Sequence, residues 1–279
     1  MLELKRVIGA SKKLYRLRAY VELIFSLLPF RFVMKLVRVL LSSQGFGSGA
    51  RVRTSGELKA ARHFLGHDVQ QFRTIFDVGA NRGEYTSAIL KLYPNSRIFS
   101  FEPSAETFRL LDEKFAAMKQ VLRLNYGLGS KAQSRFLYKE SQYARIASFT
   151  QLDVINPDHT EKVIVKTLDE VVNDYAISEI DLVKIDVEGH ELDVIKGAQN
   201  TLLLRKIKYL QFELGEASIQ TNTTLKDIYG ELSKYNYRVY LISRRGIVPL
   251  DTYDYQLEQY STTNFFAELG AKASMESNP

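Results

Sequence analysis

The sequence predicts an α/β fold in which a mostly parallel sheet carries helices on both faces, behind an N-terminal amphipathic helical segment. Two observations point to it. From about residue 70 onwards, short apolar runs alternate with amphipathic stretches of helical length, which is the pattern of strands joined by crossover helices. Before residue 41, apolar residues recur at intervals of three and four with cations between them, which is typical of amphipathic helices.

Seven apolar runs are predicted to form the sheet: Thr74–Val78, Arg97–Phe101, Val121–Asn125, Asp181–Val187, Tyr209–Glu213, Tyr237–Ile242 and Asn264–Glu268. Helices are expected near residues 56–70, Gly83–Leu92, Ala105–Met118, Leu168–Tyr175, Glu191–Leu204 and Thr224–Lys234. A turn and a loop, without a clear helix, separate the last two strands. An antiparallel strand is therefore expected at one edge of the sheet.

Charge is distributed unevenly over three predicted segments, namely a leader with a Gly/Ser-rich joint (1–50), the α/β domain (51–270) and a flexible tail (271–279). The net charge is +6, but residues 1–40 hold nine Lys/Arg against two glutamates, so the remaining chain is nearly neutral. A neutral α/β domain argues against a nucleic-acid partner. Cysteine is absent, which fits a reducing compartment such as the cytoplasm.

The leader is expected to form one or two helices. Its apolar stretch is interrupted by Glu22, Pro29, Arg31 and Lys35, and no uncharged run approaches the roughly 20 residues that a bilayer requires. Two interpretations stay open. Residues 1–40 lie on the inner face of an anionic membrane as a peripheral anchor, or they pack on the α/β domain or on a second subunit.

A glycine-bearing turn follows the first predicted strand. Thr74–Val78 runs directly into Gly79, Asn81 and Gly83, and glycines without a Cβ let the backbone approach a ligand closely. The dinucleotide pattern G-x-G-x-x-G is not met, because Asn81 stands where its second glycine would be. Asp77 is expected to point into the ligand crevice. There it would repel a pyrophosphate but is suited to balance the ammonium and sulfonium of S-adenosylmethionine.

An acid follows the second predicted strand. Glu102 comes 23 residues after Gly79, about where an acid accepts both ribose hydroxyls of a bound nucleoside. Pro103 and Ser104 then begin a helix, with Ser104 as the expected N-cap. Gly-rich turns and strand-end acids are each common, but their occurrence in register favours a nucleoside cofactor over a structural turn.

Polar residues alternate along the fourth predicted strand. Lys184, Asp186 and Glu188 project from one face, and Lys184 is expected to bond a neighbouring carboxylate, because an unpaired buried cation is costly. His190 follows, and Glu213 ends the next strand. Ligands bind beyond the carboxyl ends of such strands, so the candidates for a base that deprotonates an acceptor are Asp186, Glu188, His190 and Glu213. The alternative is a structural ion pair beside an acidic helix start.

Five segments of the sequence resemble the FkbM family of S-adenosylmethionine-dependent methyltransferases. They are Asp77–Gly83, Phe101–Pro103, Val165–Asp169, Asp181–Glu191 and Lys196–Ala198. The resemblance implies a Rossmann-like class I methyltransferase fold with a seven-stranded type of sheet, and O-methylation of a sugar or natural-product hydroxyl. It also places Gly79, Asn81 and Gly83 at the methionine end of the cofactor and Glu102 at its ribose.

The sequence thus predicts an enzyme that moves a methyl group from S-adenosylmethionine to a hydroxyl on a saccharide, a lipid-linked glycan or a natural product. No metal site is predicted. Two other functions stay open: a catalytically inactive methyltransferase fold that binds a membrane or a partner, and a nucleotide-sugar or dinucleotide enzyme that uses Glu102 on ribose. Neither the acceptor nor the oligomeric state follows from the sequence.

Overall fold

The computed structural model describes residues 15–47, 52, 55–141, 146–153, 155, 159–243, 246–259 and 261–271. The chain divides into two compact units, residues 1–43 and 44–279, which are described separately. Residues 1–14 of the predicted leader and 272–279 of the predicted tail lie outside the described residues.

The first unit contains two helices within its described part. Helix α1 covers residues 15–26, and α2 covers Phe30–Ser43. Leu27 and Leu28 close the end of α1 with backbone hydrogen bonds to Ile24 and Phe25. Pro29 then starts α2, with its carbonyl accepting from Phe32, because proline has no N–H to donate within a helix but fits its first turn. Neither helix is long and apolar enough to cross a bilayer.

The strands and helices of the second unit alternate through most of its length. The strands are β1 (Thr74–Val78), β2 (Arg97–Phe101), β3 (Val121–Leu124), β4 (Gly127–Leu128), β5 (Gln133–Lys139), β6 (Ala147–Ser148), β7 (Thr160–Lys166), β8 (Ile180–Ile185), β9 (Ile207–Leu214), β10 (Tyr237–Ile242), β11 (Ile247–Leu250) and β12 (Thr263–Leu269). The helices are α3 (Glu57–Leu65), α4 (Glu84–Leu92), α5 (Ala105–Phe115), α6 (Leu168–Asp174), α7 (Glu191–Lys196), α8 (Gln199–Leu203), α9 (Glu216–Gln220) and α10 (Leu225–Ser233).

The main sheet has eight strands in the order β11-β10-β12-β9-β8-β1-β2-β3. Strands β3, β2, β1, β8 and β9 are parallel neighbours, as in a Rossmann-like fold. The strand order reverses between β1 and β8, and such a switch point is where ligands bind in open α/β sheets. The buried faces of β1, β2 and β8 pack against α3 and α4 through Ala60, Ile75, Ile89, Ile98 and Leu182.

All seven predicted strands are present, but the sheet is mixed and not seven-stranded. The unpredicted eighth strand, β11, pairs antiparallel with β10 at the edge. Strand β12 lies inside the sheet, antiparallel to both β9 and β10. A short turn closed by Ser243 and Gly246 leads from β10 into β11 at the edge, and the chain then returns as β12 between β10 and β9.

A second, four-stranded sheet in the order β4-β7-β5-β6 was not predicted. Its longer strands largely alternate more buried with more exposed residues, and the exposed positions include Phe136, Lys162 and Ile164. One charged residue of β5 is nevertheless buried. Lys139 donates from Nζ to Glu106 at 2.7 Å and to Glu161 at 3.0 Å, which ties this sheet to α5.

The predicted joint at residues 44–49 is packed where it is described. Gly45 and Phe46 are buried, and Gly45 adopts a φ of +109° so close to β10 that a Cβ would lie 2.7 Å from the carbonyl oxygen of Ile242. The missing side chain of Gly45 lets two backbone segments pack closely. At this position the glycine serves packing and not flexibility.

Candidate active site

Two adjoining cavities open at the carboxyl ends of β1, β2 and β8. The smaller has a volume of about 680 Å³ and the larger about 1790 Å³. They share four lining residues: Gly79, Asn81, Asp186 and Glu188. All four belong to the two segments that the sequence singles out, so the switch point of the sheet brings the predicted glycine turn and the predicted acidic cluster together.

In the turn after β1, the backbone packs closely against the backbone that follows β8. Gly79 has a φ of +80°, and a Cβ on it would lie 1.9 Å from the carbonyl oxygen of Asp186. Gly79 and Ala80 also donate their N–H groups to the carbonyl of Phe101 at the end of β2. Gly79 therefore lines both cavities because the ends of three strands meet around it.

Gly83 packs closely against α5. A Cβ on Gly83 would lie 2.3 Å from the ring of Phe115 and 2.8 Å from Leu111, both on α5. Within the described residues Gly83 lines neither cavity. Its missing side chain makes room for α5, and its place at the methionine end of the cofactor stays a prediction.

Asp77 also departs from its prediction. Its side chain is fully buried, and Oδ2 accepts from the N–H of Thr86 at 3.1 Å and from its hydroxyl at 2.6 Å. Oδ1 lies 3.7 Å from Nζ of Lys184. Burial raises the pKa of Asp77, although Lys184 opposes this. In the part of the chain that is described, Asp77 is absent from the lining of both cavities, so it anchors the start of α4 beneath the crevice.

Glu102 and Asn81 meet at the smaller cavity. Oε2 of Glu102 accepts from the N–H of Asn81 at 3.0 Å, and Oε1 accepts from the N–H of Ser104 at 2.9 Å. Burial raises the pKa of Glu102 to about 7, against the effect of these two N–H groups. Each carboxylate oxygen can accept a second hydrogen bond, so the group is oriented and still able to receive a pair of hydroxyls.

The smaller cavity suits a nucleoside by its shape and its chemistry. Its walls are largely apolar and include Val78, Pro103, Leu128, Leu137, Phe149 and Val187, with the Glu102 carboxylate among them. Phe149, Leu137 and Leu128 come from the second sheet or its loops, which were not predicted, so the sequence analysis missed this wall.

Lys184 and Asp186 form the ion pair that the sequence predicts. Nζ of Lys184 lies 3.0 Å from Oδ2 of Asp186, and the lysine is 5% exposed. Burial disfavours its charge, but the carboxylates of Asp186 and Asp77 outweigh this and raise the pKa of Lys184. The expectation of a paired buried lysine is confirmed, and the pair holds Asp186 at the edge shared by the two cavities.

Two further predicted acids line the larger cavity. Glu188 has a φ of +51°, so the chain leaves β8 in a tight turn that points toward both cavities. Glu213 lies on β9, with Oε2 accepting from Nδ2 of Asn264 at 3.2 Å. Burial, followed by the negative charge of Asp186, raises the pKa of Glu188 and of Glu213. Both carboxyls thus hold a proton more tightly than an exposed glutamate does.

His190 is not brought into this cluster. Its Nδ1 lies 3.0 Å from Oδ2 of Asp193, and its Nε2 lies 3.2 Å from the hydroxyl of Thr150. The ring packs edge-on against Phe149. Among the described residues, His190 is missing from the lining of both cavities, and both ring nitrogens are already engaged. The structure places it behind the crevice, where it supports the wall.

Glu57 is a lining residue that the sequence analysis missed. It is 3% exposed, and its carboxylate accepts from the hydroxyl of Ser55 at 2.5 Å and from Nε2 of Gln211 at 2.7 Å. Gln211 in turn accepts from the hydroxyl of Tyr85 at 3.2 Å. Burial raises the pKa of Glu57 to about 7. The sequence contained one indication of this contact. Gln211 is a polar residue inside an apolar strand, and a buried polar side chain requires a hydrogen-bond partner.

The larger cavity is strongly acidic. Its carboxyl-bearing lining residues are Glu57, Glu84, Glu140, Asp186, Glu188, Glu191, Glu213 and Glu216, against the cations Arg82 and Lys184. Because Lys184 is bound to Asp186, little positive charge faces the space. Glu191 accepts from the N–H groups of Val187 and Gly189, which fixes the turn after β8.

Comparison with known protein families identifies the family to which the chain belongs. Residues 77–239, more than half of the chain, match the model of the methyltransferase FkbM domain. The chain belongs to the FkbM methyltransferase family. All nine site residues predicted from the sequence lie inside the matched FkbM region, whereas Glu57 lies outside it.

Relatives of this FkbM protein include named methyltransferases. It is 34% identical over 148 residues to the hexuronic acid methyltransferase AglP of Haloferax volcanii, covering 53% of this chain and 58% of that protein. It is 24% identical over 191 residues to the 2-O-methyltransferase NoeI of Sinorhizobium fredii, covering 60% and 74% respectively. A solved S-adenosylmethionine-dependent methyltransferase from Aquifex aeolicus is similar over 76% of this chain and 89% of that one, with 12% identity and a TM-score of 0.42.

Proposed function

We propose that this FkbM-family protein transfers a methyl group from S-adenosylmethionine to a hydroxyl of an uncharged saccharide. The observation that supports the proposal is the pair of adjoining cavities, which share Gly79, Asn81, Asp186 and Glu188. The smaller has a largely apolar wall with Glu102 beside it, and the larger is lined by many carboxyl groups. A donor site and an acceptor site that meet along one edge are what a group transfer requires.

The residues of the smaller cavity fit the nucleoside part of the cofactor. Glu102 would accept the ribose hydroxyls, and the apolar wall that includes Leu137 and Phe149 would cover the base. Gly79 and Asn81, at the shared edge, would hold the methionine part. When bound, the cofactor supplies an electrophilic methyl group on a positively charged sulfur.

Glu188 is the proposed base, because it lines both cavities and partial burial raises the pKa of its carboxyl group. The Glu188 carboxylate would take the proton of the acceptor hydroxyl, whose oxygen would receive the methyl group that the bound cofactor supplies. Asp186, held by Lys184, would orient the acceptor hydroxyl. A positioned base typically contributes on the order of 10²–10⁴-fold to such a step.

The charge of the larger cavity indicates the class of acceptor. Its many carboxyl groups can form hydrogen bonds with the hydroxyls of a sugar. The raised pKa values of Glu57, Glu188, Glu191 and Glu213 reduce the negative charge of the cavity, and the charge that remains disfavours an acceptor that is itself an anion. The relatives AglP and NoeI, named for hexuronic acid methylation and 2-O-methylation, support a hydroxyl acceptor in general. For this chain we propose a neutral glycoside and not a uronate.

The test is a methyl-transfer assay with the full-length protein and radiolabelled S-adenosylmethionine. A methyl hexoside and the matching methyl hexuronate are offered separately at equal concentration, and the label in each is counted. We expect label in the neutral glycoside and much less in the uronate.

Two other outcomes would contradict parts of the proposal. Preferential labelling of the uronate would retain methyl transfer but overturn the acceptor class. Absence of label in a broad set of glycans and natural-product alcohols, while cofactor binding persists, would favour the catalytically inactive alternative.

A further inference from the structure

The segment formed by residues 15–43 exposes an unusual amount of apolar surface. Fifteen of the 25 large hydrophobic side chains that the described residues expose lie in these 29 positions. They include rings that are costly to leave in water, such as Tyr15, Tyr20, Phe30 and Phe32, which are 54–77% exposed. An apolar patch of this kind marks a binding surface.

Helix α2 separates its cations sharply from its apolar side chains. Arg31, Lys35 and Arg38 follow one another at spacings of four and three, so they form one narrow stripe. Every other residue from Phe30 to Leu41 is apolar. A wide apolar face beside a narrow basic stripe is the pattern of a helix that lies in a membrane interface.

Helix α1 continues the same chemistry after the break at Pro29. It carries Arg16 and Arg18, and its one acid, Glu22, lies 2.7 Å from Arg18 in an exposed ion pair. Residues 15–43 hold five cations and one acid in all, a net charge of +4. The partner of this surface must therefore supply both an apolar environment and negative charge.

An anionic lipid surface supplies both, whereas a second copy of the segment does not, because it would bring the same positive charge. We propose that residues 15–43 bind the surface of an anionic membrane, with the apolar faces of α1 and α2 at the acyl boundary and their cations at the lipid phosphates. Among the described residues, neither helix is long and apolar enough to cross a bilayer, and the proposed contact is with the membrane surface.

The experiment is flotation of the full-length protein with vesicles of phosphatidylcholine alone and of phosphatidylcholine mixed with phosphatidylglycerol. We expect binding to the mixed vesicles and little to the neutral ones. Each cation near an anionic leaflet strengthens binding about fivefold. The variant Arg31→Ser/Lys35→Ser/Arg38→Ser should therefore bind the mixed vesicles roughly 100-fold more weakly.

Two further variants make the result specific. Phe32→Ser/Val39→Ser, which changes the apolar face and no charge, should also weaken binding. The control Lys119→Ser/Lys131→Ser/Lys226→Ser removes three exposed lysines of the second unit and should bind as the wild type does.

Three outcomes would overturn the proposal: no binding of the folded protein to mixed vesicles, equal binding to both kinds of vesicle, or equal losses in the control and the stripe variant. A dimer in light scattering that dissociates in Phe32→Ser/Val39→Ser, with no vesicle binding, would overturn it in favour of self-association.

Discussion

At the scale of single residues, the crevice depends on a backbone contact with no room for a side chain. Gly79→Ala would place a Cβ 1.9 Å from the carbonyl oxygen of Asp186, at a φ of +80°. We expect a loss of at least about 3 kcal/mol in the free energy of unfolding, because overpacking and left-handed strain both contribute. Urea unfolding measures it.

Gly230→Ala is the matched control for that measurement. Gly230 lies within α10, and a Cβ added there would have no neighbouring atom within 4 Å, so alanine should stabilise by roughly 0.5–1 kcal/mol. If Gly79→Ala were as stable as the wild type, the described approach of β1 to the end of β8 would be wrong.

The identity of the base is also a question about single residues. Glu188→Gln keeps the size of the side chain and removes its basicity, so kcat should fall by about 10²–10⁴-fold with little change in cofactor affinity. His190→Asn should have a much smaller effect on kcat, since both ring nitrogens are engaged behind the crevice. A larger loss in His190→Asn than in Glu188→Gln would reverse the assignment; kcat and KM across pH measure both.

At the scale of elements, the second sheet should be fixed to α5 by one buried cation. Lys139→Met would leave Glu106 and Glu161 without their shared partner, and we expect about 1–3 kcal/mol lower stability. Affinity for S-adenosylhomocysteine should fall as well, because this sheet lines the smaller cavity. Lys162→Met, an exposed position on β7, should change neither quantity. Equal effects of the two variants would show that the ion pair does not anchor the sheet.

Elements with a strong local pattern were predictable. Strands β1 and β2 are apolar runs bounded by helices, and their bounds were predicted correctly. The second sheet was not predicted. Strands β4 and β6 have two residues each and are defined by pairing with distant segments, and β5 and β7 mix charged with apolar residues, so that no long apolar run marks them.

The site residues also divide into those that could be predicted from the sequence and those that could not. The sequence located Glu102 and the Lys184–Asp186 pair because strand ends at a switch point are predictable. It did not foresee the hydrogen-bond partners of Asp77, within β1, or of His190, beyond β8, since these partners are brought together only by the tertiary structure. Asp77 accepts a hydrogen bond from Thr86, and His190 is hydrogen-bonded to Asp193 and Thr150. Glu57 was missed because its partner Gln211 is 154 residues away.

At the scale of the whole molecule, the buried acids should make stability depend on pH. Burial raises the pKa of Glu57 and Glu191 to about 7 and also raises those of Glu188 and Glu213. Between the ordinary value of 4.5 and these raised values, the folded chain binds more protons than the unfolded chain. This contribution to stability is complete below the ordinary value. It is lost as the pH rises through about 7 for Glu57 and Glu191, about 8 for Glu188 and about 9 for Glu213.

We therefore expect the Tm of the ligand-free protein to fall from about pH 5 to about pH 8. The double variant Glu188→Gln/Glu213→Gln should flatten this fall, whereas Glu113→Gln/Glu179→Gln, at exposed positions, should not. A Tm that rises over this range, or an unchanged slope in the first variant, would show that these carboxyls are not buried as described.

The most direct test of the central claim, that the smaller cavity holds the nucleoside of the methyl donor, is calorimetric titration of S-adenosylhomocysteine into the full-length protein and two variants. We predict that the wild type and Glu113→Ala bind alike. Glu102→Ala should bind at least tenfold more weakly, a loss of about 1.4 kcal/mol. A folded wild type that does not bind S-adenosylhomocysteine, or a Glu102→Ala variant that binds as tightly as the wild type, would contradict the account.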